Sequence, residues 1–309
     1  MVSLARRRLL VGSGASLAAL ACSVRTAPRT VAREVSARVG GTESRDGAGV
    51  NLRRLVGGPL LATLDPFLLL DEFHSRDPED FIRGFPDHPH RGFETVSIML
   101  DGHVVHRDSV GNHGDIAGGG VQWMTAGRGI IHSEMPRASA VSGDLWGYQL
   151  WVNLPARLKM SPPRYQDLQA GDIPEVDLGD ARARVLAGSI GGARGPIDGV
   201  VVAPTLLDLR LDAGAALRHP LPATQNAFVH VAAGRVVIGD GGREVGEGVL
   251  AVLGPGEVVA LRALDPARVL LFAAAPIGEP VARRGPFVMN TEAEIEQAWA
   301  DYRSGRLVG

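Results

Sequence analysis

Residues 95–108 read TVSIMLDGHVVHRD, and residues 227–240 read AFVHVAAGRVVIGD. When Gly102 is superposed on Gly234, both stretches show a strand-like run, a Gly turn, a Val-Val pair, a second strand and a final Asp. Similarity between two distant parts of one chain is the signature of an internal repeat. The sequence therefore indicates two copies of one structural unit.

A second match supports the same organisation. The GRG of residues 127–129 falls on the GPG of residues 254–256 when the strand-like text around them is superposed. Short strands separated by Gly turns are typical of sandwiches and barrels. The sequence predicts an all-β chain with two small β-barrels in tandem, joined near residues 162–174.

The composition agrees with short strands and tight turns. The 309 residues include 40 Gly and 20 Pro but only 5% aromatic residues, which favours turns over a helical bundle. Hydrophobic residues make up 45% of the chain, as in a folded globular protein. The formal net charge of −2 gives no electrostatic basis for binding nucleic acid, so we expect no nucleic-acid partner.

The first 36 residues predict an export signal followed by a tether. Arginines 6–8 precede an apolar run that ends at Ala21, and Cys22, the single cysteine, follows. This order resembles the twin-arginine signal of bacteria, and residues 19–22 also fit a lipobox, in which Cys22 would carry a lipid anchor. We expect an exported protein, periplasmic or anchored at the cell envelope. If the segment is not a working signal, the protein is cytoplasmic. No later apolar run is long enough for a transmembrane span.

Two short patterns with i, i+2 spacing are candidates for metal binding: HPH at residues 88–90 and HSE at residues 132–134. Residues two apart project from the same face of a β-strand, so two facing strands could aim three imidazoles and one carboxylate at one point. Such a donor set binds a divalent transition metal and leaves coordination positions open. The alternative is unrelated polar residues near turns. Glu94 competes with Glu134 for the role of carboxylate ligand.

The repeat tests this metal hypothesis. In the second copy the four donors are replaced: His88 by Pro220, His90 by Pro222, His132 by Val259 and Glu134 by Leu261. Because all four donors are lost together, the second barrel has nothing to hold a metal. We therefore predict one metal site, in the N-terminal half.

The end of the chain predicts a helix. Thr291 and Glu294 form a capping box, in which each side chain satisfies a backbone N–H of the other residue. An apolar stripe then begins at Ile295 with i, i+4, i+7 spacing, and Gly305 stands where a C-terminal cap belongs. We expect this helix to pack across the barrels as a structural element.

Four long motifs of the chain resemble those of a known family. They are HPHRGFETV (88–96), QWMTAGRGIIHSE (122–134), QLWVNLP (149–155) and GPFVMNT (285–291). Through them the chain resembles the pirin family of the cupin superfamily, over residues 37–307. One departure is Gly120, where many relatives have Asp; it removes no ligand.

The resemblance implies two tandem cupin barrels of jelly-roll type and a C-terminal helix. A metal-binding N-terminal barrel would occupy residues 37–165, and a metal-free C-terminal barrel with the helix would occupy residues 166–309. The ligands implied by the family pattern are His88, His90, His132 and Glu134, which favours Glu134 over Glu94. One divalent metal is implied, Fe(II) first, with Mn, Co, Ni, Cu and Zn as alternatives.

The resemblance also implies a reaction. Several pirins resemble quercetinases, so the expected activity is a metal-dependent dioxygenase that opens a flavonol or similar phenolic enol with O₂. Glu134 would be the catalytic residue that accepts the substrate proton. Other pirins resemble redox-sensing regulators, so the alternative is a non-catalytic, iron-binding regulatory protein. We expect a monomer.

Overall fold

The structure, a computed structural model, describes Met1 and residues 30–308. The predicted export signal, with arginines 6–8 and Cys22, lies outside the described residues. Within the described residues, 26 β-strands, three short 3₁₀ helices and one α-helix make up the fold. In that part of the chain, no helix has both the length and the apolar character that a membrane span requires.

The first half of the described chain forms twelve strands. They are β1 (Val35–Val39), β2 (Thr42–Asp46), β3 (Val50–Val56), β4 (Phe67–Ser75), β5 (Phe85–His90), β6 (Phe93–Asp101), β7 (His103–Asp108), β8 (His113–Ala117), β9 (Val121–Thr125), β10 (Ile130–Arg137), β11 (Leu145–Asn153) and β12 (Arg164–Leu168). Two of the 3₁₀ helices lie in their connections, at Pro78–Asp80 and Ala156–Leu158.

The second half begins with the 3₁₀ helix Ala170–Asp172 and ends in an α-helix. Its elements are β13 (Glu175–Asp177), β14 (Ala181–Ala187), β15 (Ser189–Ile190), β16 (Ala193–Arg194), β17 (Thr205–Leu211), β18 (Ala216–Pro220), β19 (Asn226–Ala233), β20 (Arg235–Ile238), β21 (Arg243–Gly246), β22 (Leu250–Leu253), β23 (Val258–Ala263), β24 (Ala267–Ala274), β25 (Ala282–Arg284), β26 (Phe287–Met289) and α1 (Glu292–Arg303).

Each of the two barrels consists of a seven-stranded and a four-stranded antiparallel sheet, and β1 from the first half belongs to the second barrel. In the first barrel the strand orders are β12-β9-β6-β11-β4-β3-β2 and β5-β10-β7-β8. In the second they are β1-β22-β19-β24-β17-β14-β13 and β18-β23-β20-β21. Double-sheet closure of this kind leaves few free edges. The prediction of two tandem cupin barrels with a C-terminal helix is confirmed.

The glycines that revealed the repeat occupy the same turn in both barrels. Gly102 joins β6 to β7 and Gly234 joins β19 to β20, with φ values of +75° and +77°. A Cβ at these positions would collide with the carbonyl oxygen of Arg137 or of Pro266. Glycine is therefore required at both turns, for backbone conformation and for close approach.

The prediction that the signal and tether extend to residue 36 is wrong from Val31 onward. Ala32 forms a parallel bridge with Val258, and β1 pairs with β22 of the second barrel. Arg33 is 1% exposed, and its guanidinium donates to the carbonyl oxygen of Pro222 at 2.8 Å. The segment reads as a linker because it is polar, yet it covers the edge of β22, which would otherwise lack a partner. The division of the barrels at residues 165 and 166 stays a prediction.

A large hydrophobic core lies between the two seven-stranded sheets. It contains Val96 and Leu150 from the first barrel and Phe228 and Phe272 from the second. The interior of the second barrel is also filled with buried apolar side chains, from Ala181 to Ala273. Since one face of each large sheet is used for this packing, the opposite face of the first barrel's sheet is left to line its interior.

The C-terminal helix has the predicted caps. Thr291 accepts from the Glu294 backbone N–H, and the Glu294 carboxylate accepts from the Thr291 N–H. Gly305 follows the last turn with φ +71°. Ile295 and Ala298 are buried against β25 and β26, so the helix and this hairpin form one small core of their own.

Candidate metal centre

Antiparallel pairing of β5 and β10 brings the two predicted motifs together. His132 lies opposite His88, and Ile130 lies opposite His90. The ligand nitrogens of the three histidines all lie within 4.8 Å of one another. The structure therefore brings three imidazoles from two strands together, as the i, i+2 spacing predicts.

The hydrogen bonds of His88 and His90 fix their tautomers. His88 Nδ1 is 2.8 Å from the carbonyl oxygen of Pro86, and His90 Nδ1 is 3.4 Å from that of Pro286. A carbonyl oxygen only accepts, so each Nδ1 carries the proton and each Nε2 presents a lone pair. The two Nε2 atoms are 3.1 Å apart. Two lone pairs at that distance repel each other unless a proton or a cation lies between them.

His132 completes a set of donors that fits a metal. Both of its ring nitrogens are buried without a hydrogen-bond partner among the described residues. Burial, together with the neighbouring imidazoles, lowers the pKa of His90 and of His132 well below the usual value. These imidazoles are therefore neutral at physiological pH, which is the form that binds a transition metal.

Glu134 lies beside the imidazoles at a greater distance. Its Oε2 is 4.0 Å from His132 Nε2. The Ser97 hydroxyl donates to Oε1 at 3.0 Å, and the Gln149 amide donates to Oε2 at 3.0 Å. Two donors thus orient the carboxylate toward the cluster. The roles of Glu134 as fourth ligand and as catalytic residue stay predictions.

Glu94 lies on the other face of β6. Side chains alternate along a strand, so Ser97, which faces Glu134, and Glu94, three positions earlier, project in opposite directions. Thr125 Oγ1 donates to Glu94 Oε1 at 2.7 Å. Burial raises the pKa of the Glu94 carboxyl to about 7. The thickness of the sheet therefore separates this carboxyl from the imidazole cluster.

The imidazoles of His88 and His90 line a cavity of about 580 Å³. Its apolar walls include Leu52, Leu69, Phe73, Phe85 and Val104. Its polar lining includes residues that sequence reasoning did not single out: Ser97, Gln149, Arg54 and Arg283. Gln149 and Trp151 share one face of β11 through their i, i+2 spacing, a signal that could have found them. Nothing in the sequence shows that Arg283, nearly 200 residues from His88, reaches the same cavity.

His106 also contacts the cluster. Its ring centroid is 5.2 Å from that of His132, and its Nε2 lies 3.3 Å from the Tyr165 hydroxyl. Asp108, two residues later in β7, instead accepts from the side-chain amide of Asn112 at 2.7 Å. Only His106 is thus in a position to support the imidazoles directly.

The equivalent place in the second barrel retains one imidazole. His219 lies opposite Val259, in the way that His88 lies opposite His132. The ungapped superposition, which placed Pro220 on His88, is therefore wrong by one residue. Leu221, Val259 and Leu261 belong to the apolar core of that barrel. Among the described residues, His88, His90 and His132 are the one group of three or more donors close enough to hold a metal.

Comparisons with known proteins match both halves of the chain. The family model described as Pirin matches residues 49–152, and the one described as Pirin C-terminal cupin domain matches residues 206–308. A pirin-like protein of Caulobacter vibrioides is 46% identical over 277 residues, which cover 89% of this chain and 99% of that protein. Pirin of Homo sapiens is 42% identical over 280 residues, with 89% and 93% covered.

The fold has a similar counterpart among solved structures. Quercetin 2,3-dioxygenase from Acinetobacter baumannii superposes with a TM-score of 0.80 and 34% sequence identity, over 89% of this chain and 98% of that chain. The match extends over both barrels and agrees with the sequence comparisons. The chain therefore belongs to the pirin family.

Proposed function

We propose that this chain is a metal-dependent dioxygenase that opens a flavonol, or a similar phenolic enol, with O₂. The observation that carries the proposal is a cluster of three imidazoles with an oriented carboxylate beside it, of which His88, His90 and Glu134 line a cavity of about 580 Å³. A cavity of this size suits a small planar molecule. The similarity to a quercetin 2,3-dioxygenase supports the same class of reaction.

His88, His90 and His132 would hold the metal through nitrogen, and Glu134 through oxygen. Mixed nitrogen and oxygen donors suit Fe(II), our first choice, and also Mn, Co, Ni, Cu and Zn. A metal bound there supplies a Lewis acid and a template for O₂.

The chain's own residues bind and deprotonate the substrate. Glu134 accepts the proton of the flavonol 3-hydroxyl, and the hydrogen bonds from Ser97 and Gln149 keep its carboxylate in place. The apolar walls, with Leu69 and Phe73, exclude water from the planar rings. The ring then opens by consumption of O₂ and release of carbon monoxide.

Metal analysis of the purified protein and turnover of quercetin test this proposal. We expect loss of the flavonol absorbance and formation of carbon monoxide under air with the iron-loaded protein. His88→Ala should abolish turnover, whereas His103→Ala, a change on the same sheet outside the cluster, should not. Absence of turnover with Fe, Mn, Co, Ni and Cu would reject the reaction.

We also propose that the chain is exported, on the basis of arginines 6–8, the apolar run and Cys22. When the full-length chain is expressed, fractionation of the cells should find the protein at the envelope or in the periplasm. Arg6→Lys combined with Arg7→Lys should retain it in the cytoplasm, and Cys22→Ser should prevent lipidation. A wild-type protein found only in the cytoplasm would contradict the proposal.

A further inference from the structure

The metal cavity receives a second recognition element from the hairpin of β25 and β26, which follows the second barrel. Gly285 and Pro286 form the turn of this hairpin, and Gly285 has φ +59°, as the first turn position of a II′ hairpin favours. The Pro286 carbonyl accepts from His90 Nδ1, so the turn is fixed against the imidazole cluster. Arg283, in β25, lines the same cavity. Its position is therefore tied to that of the metal centre.

Arg283 differs from the other guanidinium group in the cavity. Arg54 donates to Asp71 at 2.9 Å and 2.7 Å and to Asp46 at 3.2 Å, so its guanidinium is already paired with two carboxylates. Arg283 donates through Nη1 to the Leu68 carbonyl at 3.2 Å. Among the described residues, no carboxylate oxygen lies within 4.0 Å of Arg283; Asp46 and Asp71 act on it only at longer range.

An aromatic ring orients the Arg283 guanidinium. Its Cζ lies 4.6 Å from the centroid of the Trp151 ring, and that ring lies 5.2 Å from the His90 ring. A guanidinium stacked on an aromatic face is held flat, and it keeps its in-plane donors available for an acceptor. The remaining donors, Nε and Nη2, have no hydrogen-bond partner within the described chain. Arg283 is an exposed residue, and it lines the cavity.

We propose that Arg283 forms an anion subsite of the metal cavity. The substrate class is then a planar aromatic enol or phenol that meets the metal through one oxygen and carries a second, anionic oxygen group. That second group accepts a hydrogen bond from the Arg283 guanidinium. The Trp151 ring lies between this guanidinium and the imidazole of His90. This inference rests on the proposed function and specifies its substrate.

Equilibrium binding tests the subsite without any need for turnover. The full-length protein, loaded with redox-inert Zn(II) and kept free of O₂, is titrated with 3-hydroxyflavone and with 3-hydroxyflavone that carries a carboxylate on its phenyl ring. We expect the wild-type protein to bind the carboxylated probe about tenfold more tightly, the size of one charge-assisted hydrogen bond. Arg283→Gln should remove this preference. Arg283→Lys should retain only part of it, because lysine keeps the charge but lacks the planar fork.

Arg284→Gln is the matched control. Arg284 is the next residue in β25, but it pairs with Glu292 of α1 at 3.1 Å and does not line the cavity. This variant should keep the full preference. Equal zinc content in all variants shows that the site is intact.

Two outcomes would overturn the subsite: a wild-type protein without preference for the anionic probe, or an Arg283→Gln variant that keeps it. Turnover of quercetin is a separate assay, so the two proposals fail separately. An Arg283-dependent preference without turnover rejects only the reaction. Turnover with an unchanged preference in Arg283→Gln rejects only the subsite.

Discussion

At the residue scale, the imidazole of His132 lowers the stability of the metal-free protein. Both ring nitrogens are buried, and neither has a hydrogen-bond partner among the described residues. A buried polar group without a partner costs about 1–3 kcal/mol of stability. A metal at the cluster would offset this cost by giving one nitrogen a ligand bond.

We therefore expect opposite effects of His132→Leu with and without metal. The metal-free variant should be at least as stable as the wild type, because an unpartnered polar group is removed. The wild type should gain about 2.7 kcal/mol when free metal reaches 100 times its dissociation constant, and the variant should gain nothing. Thermal unfolding with and without added metal measures both effects.

His219→Leu is the matched control for this prediction. His219 is buried at the equivalent place of the second barrel, where Val259 faces it. This variant should keep the full stabilisation by metal. A stabilisation by metal that survives in His132→Leu would contradict the proposed ligand role.

Side-chain direction, which residue spacing alone does not give, decides between the two candidate carboxylate ligands. Glu94 and Glu134 both lie close in sequence to a histidine of the cluster, so spacing allows either of them as a ligand. The resemblance favoured Glu134, and strand alternation places Glu94 on the far face of β6. Arg283 could not be found in this way, since only the folded chain brings it to the cavity.

At the element scale, the loop after β5 and strand β26 are in close contact. Lys159 Nζ donates to the carbonyl oxygens of Gly92 at 2.8 Å and Val288 at 3.1 Å, and so bridges the two segments. Gly92 has φ +90°, and a Cβ there would collide with the Val288 carbonyl oxygen. The hairpin can lie against the metal motif only because this residue lacks a side chain.

Gly92→Ala should therefore destabilise the protein by about 3 kcal/mol or more, because it combines backbone strain with a backbone clash. Urea unfolding measures the change. Metal affinity should fall as well, since the hairpin carries the Pro286 carbonyl that orients His90.

Gly278→Ala separates strain from the clash. Gly278 has φ +71°, but a Cβ there meets nothing within 4 Å. This variant should lose only about 1 kcal/mol, the cost of a left-handed residue. Equal losses in the two variants would mean that the contact with β26 contributes little.

The pairing of strands that are distant in the sequence could not be predicted from the sequence. The repeat of turns and strands was sufficient to predict both barrels, because Gly102 and Gly234 are demanded by local geometry. The role of β1 was missed, because the five residues Val35–Val39 carry no sign of their distant partner β22. Pairing between distant strands depends on the whole fold.

At the scale of the whole molecule, a polar network crosses the core between the barrels. The Tyr148 hydroxyl donates to Glu72 at 2.8 Å and lies 3.2 Å from His230 Nδ1. Since the hydroxyl proton goes to Glu72, its oxygen accepts from Nδ1, and the buried His230 Nε2 lies 4.0 Å from Glu72 Oε2. Burial lowers the pKa of His230 to about 4.

We expect His230 to make the protein sensitive to acid. The unfolded chain binds a proton at this residue near pH 6.5, but the folded chain does so only near pH 4. Between these values the unfolded state binds more protons, so stability falls as the pH falls. The loss by pH 4 is on the order of 3 kcal/mol.

Comparison with His230→Gln isolates this contribution from other titrating groups. The free energy of unfolding by urea, measured from pH 7.5 to pH 4.5, should decrease less in the variant than in the wild type. His113→Gln, a change at an exposed histidine, should follow the wild type. Identical pH profiles for wild type and His230→Gln would contradict the prediction.

The two ends of the folded chain are exchanged between the barrels. Residues that precede the first barrel complete the sheet of the second, through β1 and β22, and residues that follow the second complete the metal cavity of the first, through β25 and β26. During synthesis, the carbonyl that orients His90 emerges almost 200 residues after His90 itself. A metal bound at the cluster would therefore have its complete surroundings only after the hairpin has been synthesised, so we expect neither half alone to bind metal as the intact protein does.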